Sequence, residues 1–180
     1  QLLRRRKRRD EKPFALMGAS LAALHEIVEL TPDAEVLLRS PQRPVLLLPK
    51  RPGGPLATAI APGNRDLGVM LPYTPIHHLL LADSDAPWLV MTSGNISDEP
   101  IVFEDSIALQ RVNDVADWFL VHNRRIHRRL DDSVARIING DEYIMRRARG
   151  YAPVPIKLQS PVREILAVGA EMKNTFCFGK

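Results

Sequence analysis

The chain holds a single cysteine, Cys177, among its 180 residues. That excludes an internal disulfide and any cysteine cluster for zinc, and it suits a reducing cytoplasm. No apolar stretch nears the roughly 20 residues that a membrane-crossing helix needs. The basic start is followed by "DEKPF", not by a long apolar core, so no signal peptide is visible. There is no Walker loop, no G-x-G-x-x-G, no G-x-S-x-G and no H-E-x-x-H, so no short motif announces a reaction. No internal repeat is present. An initial methionine is also lacking, and the chain reads as a piece of something longer.

Other features are plentiful. Hydrophobic residues make up 45%, enough for a true core. The 15 prolines argue against a helical bundle, because proline breaks helix interiors. The net charge of +4 is local. Residues 1–12 carry seven cations against Asp10 and Glu11, so the rest of the chain sums to one negative charge. Such a run predicts an anionic partner at one place and not a uniformly basic surface.

Strands are expected at Phe14–Met17, in "PVLLLP" (44–49, buried on both faces), in "LGVMLP" (67–72) and in "WLVMTS" (88–93). Three more are expected in "DWFLVH" (117–122), "SVARIING" (133–140) and "EYIMRR" (142–147). The last two join across Asn139-Gly140-Asp141, a hairpin signal. Helices are expected over 20–30 with Ser20 as N-cap, over 32–40 with Pro32 in the first turn, and over 74–83 with Thr74 as N-cap. Another is expected over 104–114, with Ile107, Leu109 and Val112 facing inward. The alternation indicates an α/β fold with a mixed sheet. Residues 152–162 read as a proline-rich linker, and two strand-like pieces flank Gly169.

Three constellations bear on function. The run "RRRKRRDEKP" reads either as a solvated helix end or as a phosphate site in which Lys7 and Arg9 point one way and Lys12 joins them. In "TSGN", Ser93 and Asn95 follow a strand's carboxyl end; this is either a plain Asx or Ser/Thr turn or the floor of a ligand pocket. In "HNRRIHRRLDDSV", Arg124, Arg125, Arg128 and Arg129 are interleaved with His122, His127, Asp131 and Asp132, which fits internal salt bridging or triphosphate binding with a carboxylate for magnesium. Ser133 caps the strand that follows, and "MRRARG" adds Arg146, Arg147 and Arg149. His77 and His78 are adjacent, so they do not converge on a metal; packing or capping explains them better. Cys177 reads as a buried, inert thiol.

Taken together, these segments resemble the YrdC-like family, and more closely the YrdC-like domain of the HypF-type hydrogenase-maturation carbamoyltransferases. The resemblance rests on "RKRRDEKPFALM", "RPVLLL", "APGNRDLGVMLPYTPIHHLLL", "LVMTSGNISDEPI", "HNRRIHRRLDDSV" and "RRARGYAPVPI". It implies a YrdC-like/RibB-like twisted mixed sheet flanked by helices. It also implies a carbamoyl-adenylate-forming domain over 1–156 that lacks its first strand, with 157–180 as linker and start of a TsaD-like transfer domain. The family's Lys-x-Arg pair falls on Lys7 and Arg9, and its Ser-x-Asn pair on Ser93 and Asn95. Together with Lys12, Ser133 and Arg147 these are the expected nucleotide- and carbamate-binding residues, with no protein metal site. The implied cofactors are ATP and Mg2+. The implied partners are carbamoyl phosphate or carbamate, HypE as carbamoyl acceptor, and the remaining HypF domains. A tRNA-modifying threonylcarbamoyl-adenylate synthase and a double-stranded RNA-binding module are the two alternatives.

Overall fold

The computed structural model describes residues 1–97, 99–160, 162–169 and 176–179. Local chemistry sets several element ends. Ser20 caps helix α2 (Leu21–His25), its hydroxyl accepting from the Ala23 N–H at 3.2 Å. Thr31 does the same for α3 (Pro32–Arg39) at 3.3 Å, with Pro32 at a position where its missing N–H costs nothing. The first of these helices is shorter than expected. Ile27 and Val28 are buried beyond its end, because the backbone there leaves the helix to pair with Pro49 and Lys50.

Six strands form one sheet: β1 (Ala15–Gly18), β2 (Val45–Pro49), β3 (Asp66–Met70), β4 (Trp88–Met91), β5 (Val134–Ile138) and β6 (Asp141–Arg146). Their order is β4-β1-β3-β2-β5-β6. The pairs β1–β3 and β2–β5 are parallel and the other three antiparallel, so the expected mixed sheet is present. Asn139 and Gly140 take φ of 55° and 87°, the left-handed pair that a tight hairpin between β5 and β6 requires.

Period-two alternation sorts the sheet into two faces. On one, Leu16, Leu46, Leu48, Leu67, Val69 and Ala135 are buried against Leu24 of α2 and Leu38 of α3. Full burial of each such leucine contributes about 1.5–3 kcal/mol. On the other face, Met17, Val45 and Met70 meet Leu81 of helix α4 (Pro75–Asp83). That helix covers only part of the face, and the remainder forms the floor of the site described below. Leu47 is therefore only partly buried, and β2 is not fully enclosed on both faces as its apolar run suggested.

Other expectations are corrected. Residues 117–122 form no strand: Asp117 is held by Arg6 at 2.8 Å, Trp118 is 92% exposed, and the sheet closes without this segment. In α5 (Asp105–Arg111) Ile107 and Leu109 are exposed and only Val112, just past its end, is buried, so the three do not share one inward face. Thr74 occupies the N-cap position of α4, but its hydroxyl makes no cap bond. Cys177 is exposed on β8 (Phe176–Gly179), which pairs with β7 (Ile165–Val168) in a separate two-stranded ribbon too thin to bury it. The reading of a TsaD-like start draws partly on residues 170–175, which lie outside the described residues.

Candidate functional site

A cavity of about 460 Å³ lies over the open face of the sheet. Its floor is Ala15, Val45, Leu47, Gly68, Met70 and Val134, contributed by four neighbouring strands. Gly68 keeps the centre low: a Cβ there would stand 2.9 Å from Val45 Cγ1. The rim is polar. It includes Lys7, Arg9, Lys12, Thr92, Ser93 and Asn95 on one side, and Tyr73, Asp131, Asp132 and Arg146 among its other members. The cavity thus spreads across the sheet face, while the loop carrying Ser93 and Asn95 does follow the carboxyl end of β4 as expected.

The basic run is divided by its fold. Helix α1 (Leu2–Arg6) ends at the Lys7 cap, and Arg8 then takes a left-handed φ of 49°. This turn sends the Lys7 side chain inward, leaving the residue 1% exposed. Its ammonium donates to the Ser93 carbonyl at 2.5 Å and to Asn95 Oδ1 at 3.1 Å. Ser97 Oγ donates back to the Lys7 carbonyl at 2.8 Å. Arg9 donates to Thr92 Oγ1 at 3.2 Å and lies over the Phe14 ring, 4.5 Å from its centroid. Arg4 is structural: its guanidinium donates to the carbonyls of Ala59, Arg9 and Asp10 and so fastens the loop. Burial lowers the Lys7 pKa to about 8, with the nearby charges of Arg9 and Lys12 adding to the effect. Three cations gathered at one rim invite an anion.

The Thr92–Asn95 loop is a turn, and it lines the cavity. Ser93 Oγ donates to Asn95 Oδ1 at 2.6 Å, and the Asn95 N–H donates to the Ser93 carbonyl at 3.0 Å. Asn95 Nδ2 donates to the Glu99 carbonyl at 2.5 Å. The turn is real, and it serves to hold a buried amide beside a buried lysine at the cavity wall. Behind the loop lies a second, mostly apolar cavity of about 520 Å³, lined by Leu2, Leu3, Val112, Val115 and the Arg6–Asp117 pair.

Ser133 and Arg147 stand elsewhere. Ser133 is fully buried, its hydroxyl donating to the Arg149 carbonyl at 2.9 Å and accepting from the Ala148 N–H at 2.7 Å. It ties the start of β5 to the chain leaving β6. Arg147 donates to the carbonyls of Tyr151 and Val154 and is not among the cavity-lining residues. Its neighbour Arg146 lines the cavity instead, as alternation along a strand demands. Arg124, Arg125, Arg128 and Arg129 are exposed and also outside it. Among the described residues no three acidic, histidine or cysteine side chains converge as a metal cage. His77 packs edge-on against Tyr73 at 4.5 Å, and burial lowers its pKa.

Sequence reasoning missed Tyr73 and Glu99 as lining residues, and Gly68 as the floor. Only Gly68 left a signal, since an isolated glycine inside a buried strand marks a close approach.

Comparison with known proteins agrees with this architecture. The Sua5/YciO/YrdC family model, described as telomere recombination, matches residues 1–148. Carbamoyltransferase HypF of Rhodobacter capsulatus is 47% identical over 182 residues, covering 99% of this chain and 24% of that protein. A full-length HypF solved in a phosphate- and nucleotide-bound form superposes with a TM-score of 0.91 at 50% identity, covering 99% of this chain and 24% of that one. A Sua5 protein of P. abyssi shares the fold, with a TM-score of 0.68 at 20% identity over 82% of this chain and 45% of its own. The chain spans about a quarter of the length of the HypF relatives it matches. The six-stranded mixed sheet and the match along most of its length identify this chain as a member of the Sua5/YciO/YrdC family, of the kind found within HypF carbamoyltransferases.

Proposed function

We propose that this chain is the adenylate-forming module of a HypF-type carbamoyltransferase. It binds ATP and carbamate derived from carbamoyl phosphate, and forms carbamoyl adenylate with release of pyrophosphate. In the longer protein the carbamoyl group then passes to the HypE C-terminal cysteine for cyanide-ligand synthesis in the cytoplasm. The observation that carries this reading is the convergence of Lys7, Ser93 and Asn95, 86 and 88 residues apart in sequence, at one wall of one cavity. The similar HypF of known structure was solved with phosphate and nucleotide bound.

The chemistry suits the residues. Carbamate attack on the α-phosphate forms one P–O bond and breaks the bond to pyrophosphate, so charge builds on phosphate oxygens. Lys7, Arg9 and Lys12 offer donors and positive charge to those oxygens, and a wall preorganised before the ligand arrives spends little on rearrangement. Magnesium fits as an ion carried by the phosphates, because among the described residues no carboxylates gather as a cage. Glu99, Asp131 and Asp132 are the carboxylates that share the cavity, and Glu99 is itself paired with Arg111 at 3.7 Å. When bound, the ion would neutralise phosphate charge.

The test is pyrophosphate exchange dependent on carbamoyl phosphate in the full-length protein. Lys7→Ala and Asn95→Ala each reduce exchange at least tenfold. Unchanged exchange in both variants rejects their roles. AMP formation that requires threonine instead of carbamoyl phosphate selects the tRNA-modification reading.

A further inference from the structure

We propose that Arg149 is a positioning residue that holds the Asp132 carboxylate as the acceptor for nucleoside hydroxyl groups at the acidic end of the cavity. The inference rests on the cavity taking a nucleotide, and it deepens that reading by giving the ligand a direction.

Arg149 is spent on the protein and not offered to phosphate. Its Nε and Nη2 donate to Asp132 Oδ1 at 3.0 and 2.9 Å. Nη2 also donates to the Arg43 carbonyl at 2.8 Å, and Nη1 to the Gln42 carbonyl at 3.3 Å. Its flat face lies on the Tyr73 ring, 3.5 Å from the centroid. The guanidinium is thus gripped from three separate segments, which is what a planar five-donor fork does and a lysine cannot.

What this grip fixes is the cavity wall. Asp132 and Tyr73 both line the cavity, and Asp131 stands beside them. A carboxylate only accepts hydrogen bonds and offers about four lone-pair sites; Arg149 uses two on one oxygen, and the Tyr73 hydroxyl also interacts with this carboxylate, which leaves part of its capacity. The remaining capacity suits a donor, and it repels phosphate. Meanwhile Lys7, Arg9 and Lys12 precede β1, whereas Asp132 precedes β5. The order β1-β3-β2-β5 places two strands between them, roughly 14 Å sideways at about 4.8 Å per step, and because β1 and β5 run antiparallel the two segments also lie toward opposite ends of the sheet. Phosphates therefore belong at the cationic rim, and the hydroxyl-bearing sugar of the same molecule reaches toward Asp132. Arg146 does not cancel this polarity at the carboxylate, since its Nη1 points to the Asp132 main-chain carbonyl at 3.4 Å.

The experiment measures binding of ATP, 2′-deoxy-ATP, 3′-deoxy-ATP and inorganic tripolyphosphate to the full-length protein by titration calorimetry. A hydrogen bond to a charged group contributes about 1.5–3 kcal/mol, or roughly 10- to 100-fold in affinity. Wild type is expected to bind at least one deoxy analogue about tenfold or more weaker than ATP. Asp132→Asn and Arg149→Lys lose a similar factor for ATP, keep tripolyphosphate within about twofold, and no longer distinguish ATP from that analogue. The double variant is no weaker than the weaker single one, because the two residues act as a unit. A merely structural role for Arg149 lowers the melting temperature and leaves the deoxy penalty intact, which overturns the proposal. Equal loss for ATP and tripolyphosphate overturns it too, by assigning Asp132 to the phosphates. Asp132→Asn preserves side-chain shape and decides the matter even where Arg149→Lys fails to fold. A wild-type protein that binds no ATP fails the nucleotide reading itself.

Discussion

The Lys7 ammonium stands 2.5 Å from the carbonyl oxygen of Ser93, although 86 residues separate them. A lysine that is 1% exposed and faces neutral acceptors is an unusual use of charge. Burial and the neighbouring cations of Arg9 and Lys12 hold its pKa near 8, well below the ordinary lysine value of about 10.4. The site therefore carries positive charge that the surrounding protein compensates incompletely.

This gives a pH dependence with a defined sign. Between about 8 and the ordinary lysine value, the unfolded chain binds more protons at Lys7 than the folded chain does. Folding stability from this group therefore rises with pH through that window. Nucleotide affinity moves the opposite way, because the ammonium is the form that meets phosphate. ATP affinity is expected to hold below pH 7 and to fall above pH 8. Bound phosphate raises the Lys7 pKa, so binding near pH 8 takes up protons. Calorimetry in buffers of different ionisation enthalpy reads that uptake, and Lys7→Met abolishes it along with the break in affinity. An affinity profile flat from pH 7 to 10 would show that Lys7 does not meet the ligand.

Asn95 separates scaffold from chemistry. Its Oδ1 accepts from Lys7 and from Ser93 Oγ, while its Nδ2 donates to the Glu99 carbonyl. Asn95→Asp keeps the acceptor and the size, loses the donor to Glu99, and places a negative charge against Lys7. The new ion pair offsets part of the lost hydrogen bond, which is worth about 1 kcal/mol. The melting temperature is expected to change by only a few degrees. Nucleotide affinity, by contrast, falls at least tenfold, because the added carboxylate neutralises the lysine and repels phosphate. Thermal melts beside ATP titrations check both halves. A variant that melts normally and still binds ATP at wild-type strength contradicts the assignment of this wall to phosphate.

How much of this was legible follows from the range of the interactions. The strands β1 to β5 and the hairpin at Asn139-Gly140 were readable because alternation and turn chemistry are local. Lys7, Arg9, Lys12, Ser93 and Asn95 were legible as polar groups beside apolar strands and through a family resemblance, and the fold gathers all five. Arg146 lines the cavity and Arg147 does not: composition shows an arginine pair, but only strand phase separates the two. Ser133 looked like a ligand group and is a buried tie, since nothing local announces the Ala148 N–H or the Arg149 carbonyl as its partners. The "DWFLVH" segment carries strand composition, yet the sheet has no position for it. Tyr73 and Arg149 were invisible as a pair, because their stacking joins segments far apart in sequence.

Gly68 gives the last test, since it concerns the cavity floor and involves no charge. Its missing side chain leaves the centre of the sheet face open, and an added Cβ meets Val45 Cγ1 at 2.9 Å and Leu47 Cδ2 at 3.5 Å. The tips of two aliphatic side chains can yield by a few tenths of an ångström, so Gly68→Ala is expected to cost about 1 kcal/mol, at the low end of overpacking effects. Gly68→Leu reaches into the volume of about 460 Å³ that a ligand would fill. It is expected to fold with a lowered melting temperature and to lose ATP binding, and with it pyrophosphate exchange, while Gly68→Ala retains both within a few-fold. Tripolyphosphate, which needs only the cationic rim, is expected to bind both variants. If Gly68→Leu binds ATP as tightly as wild type, the nucleotide does not lie over this floor, and Lys7 and Asn95 would serve a ligand on the other side of their loop.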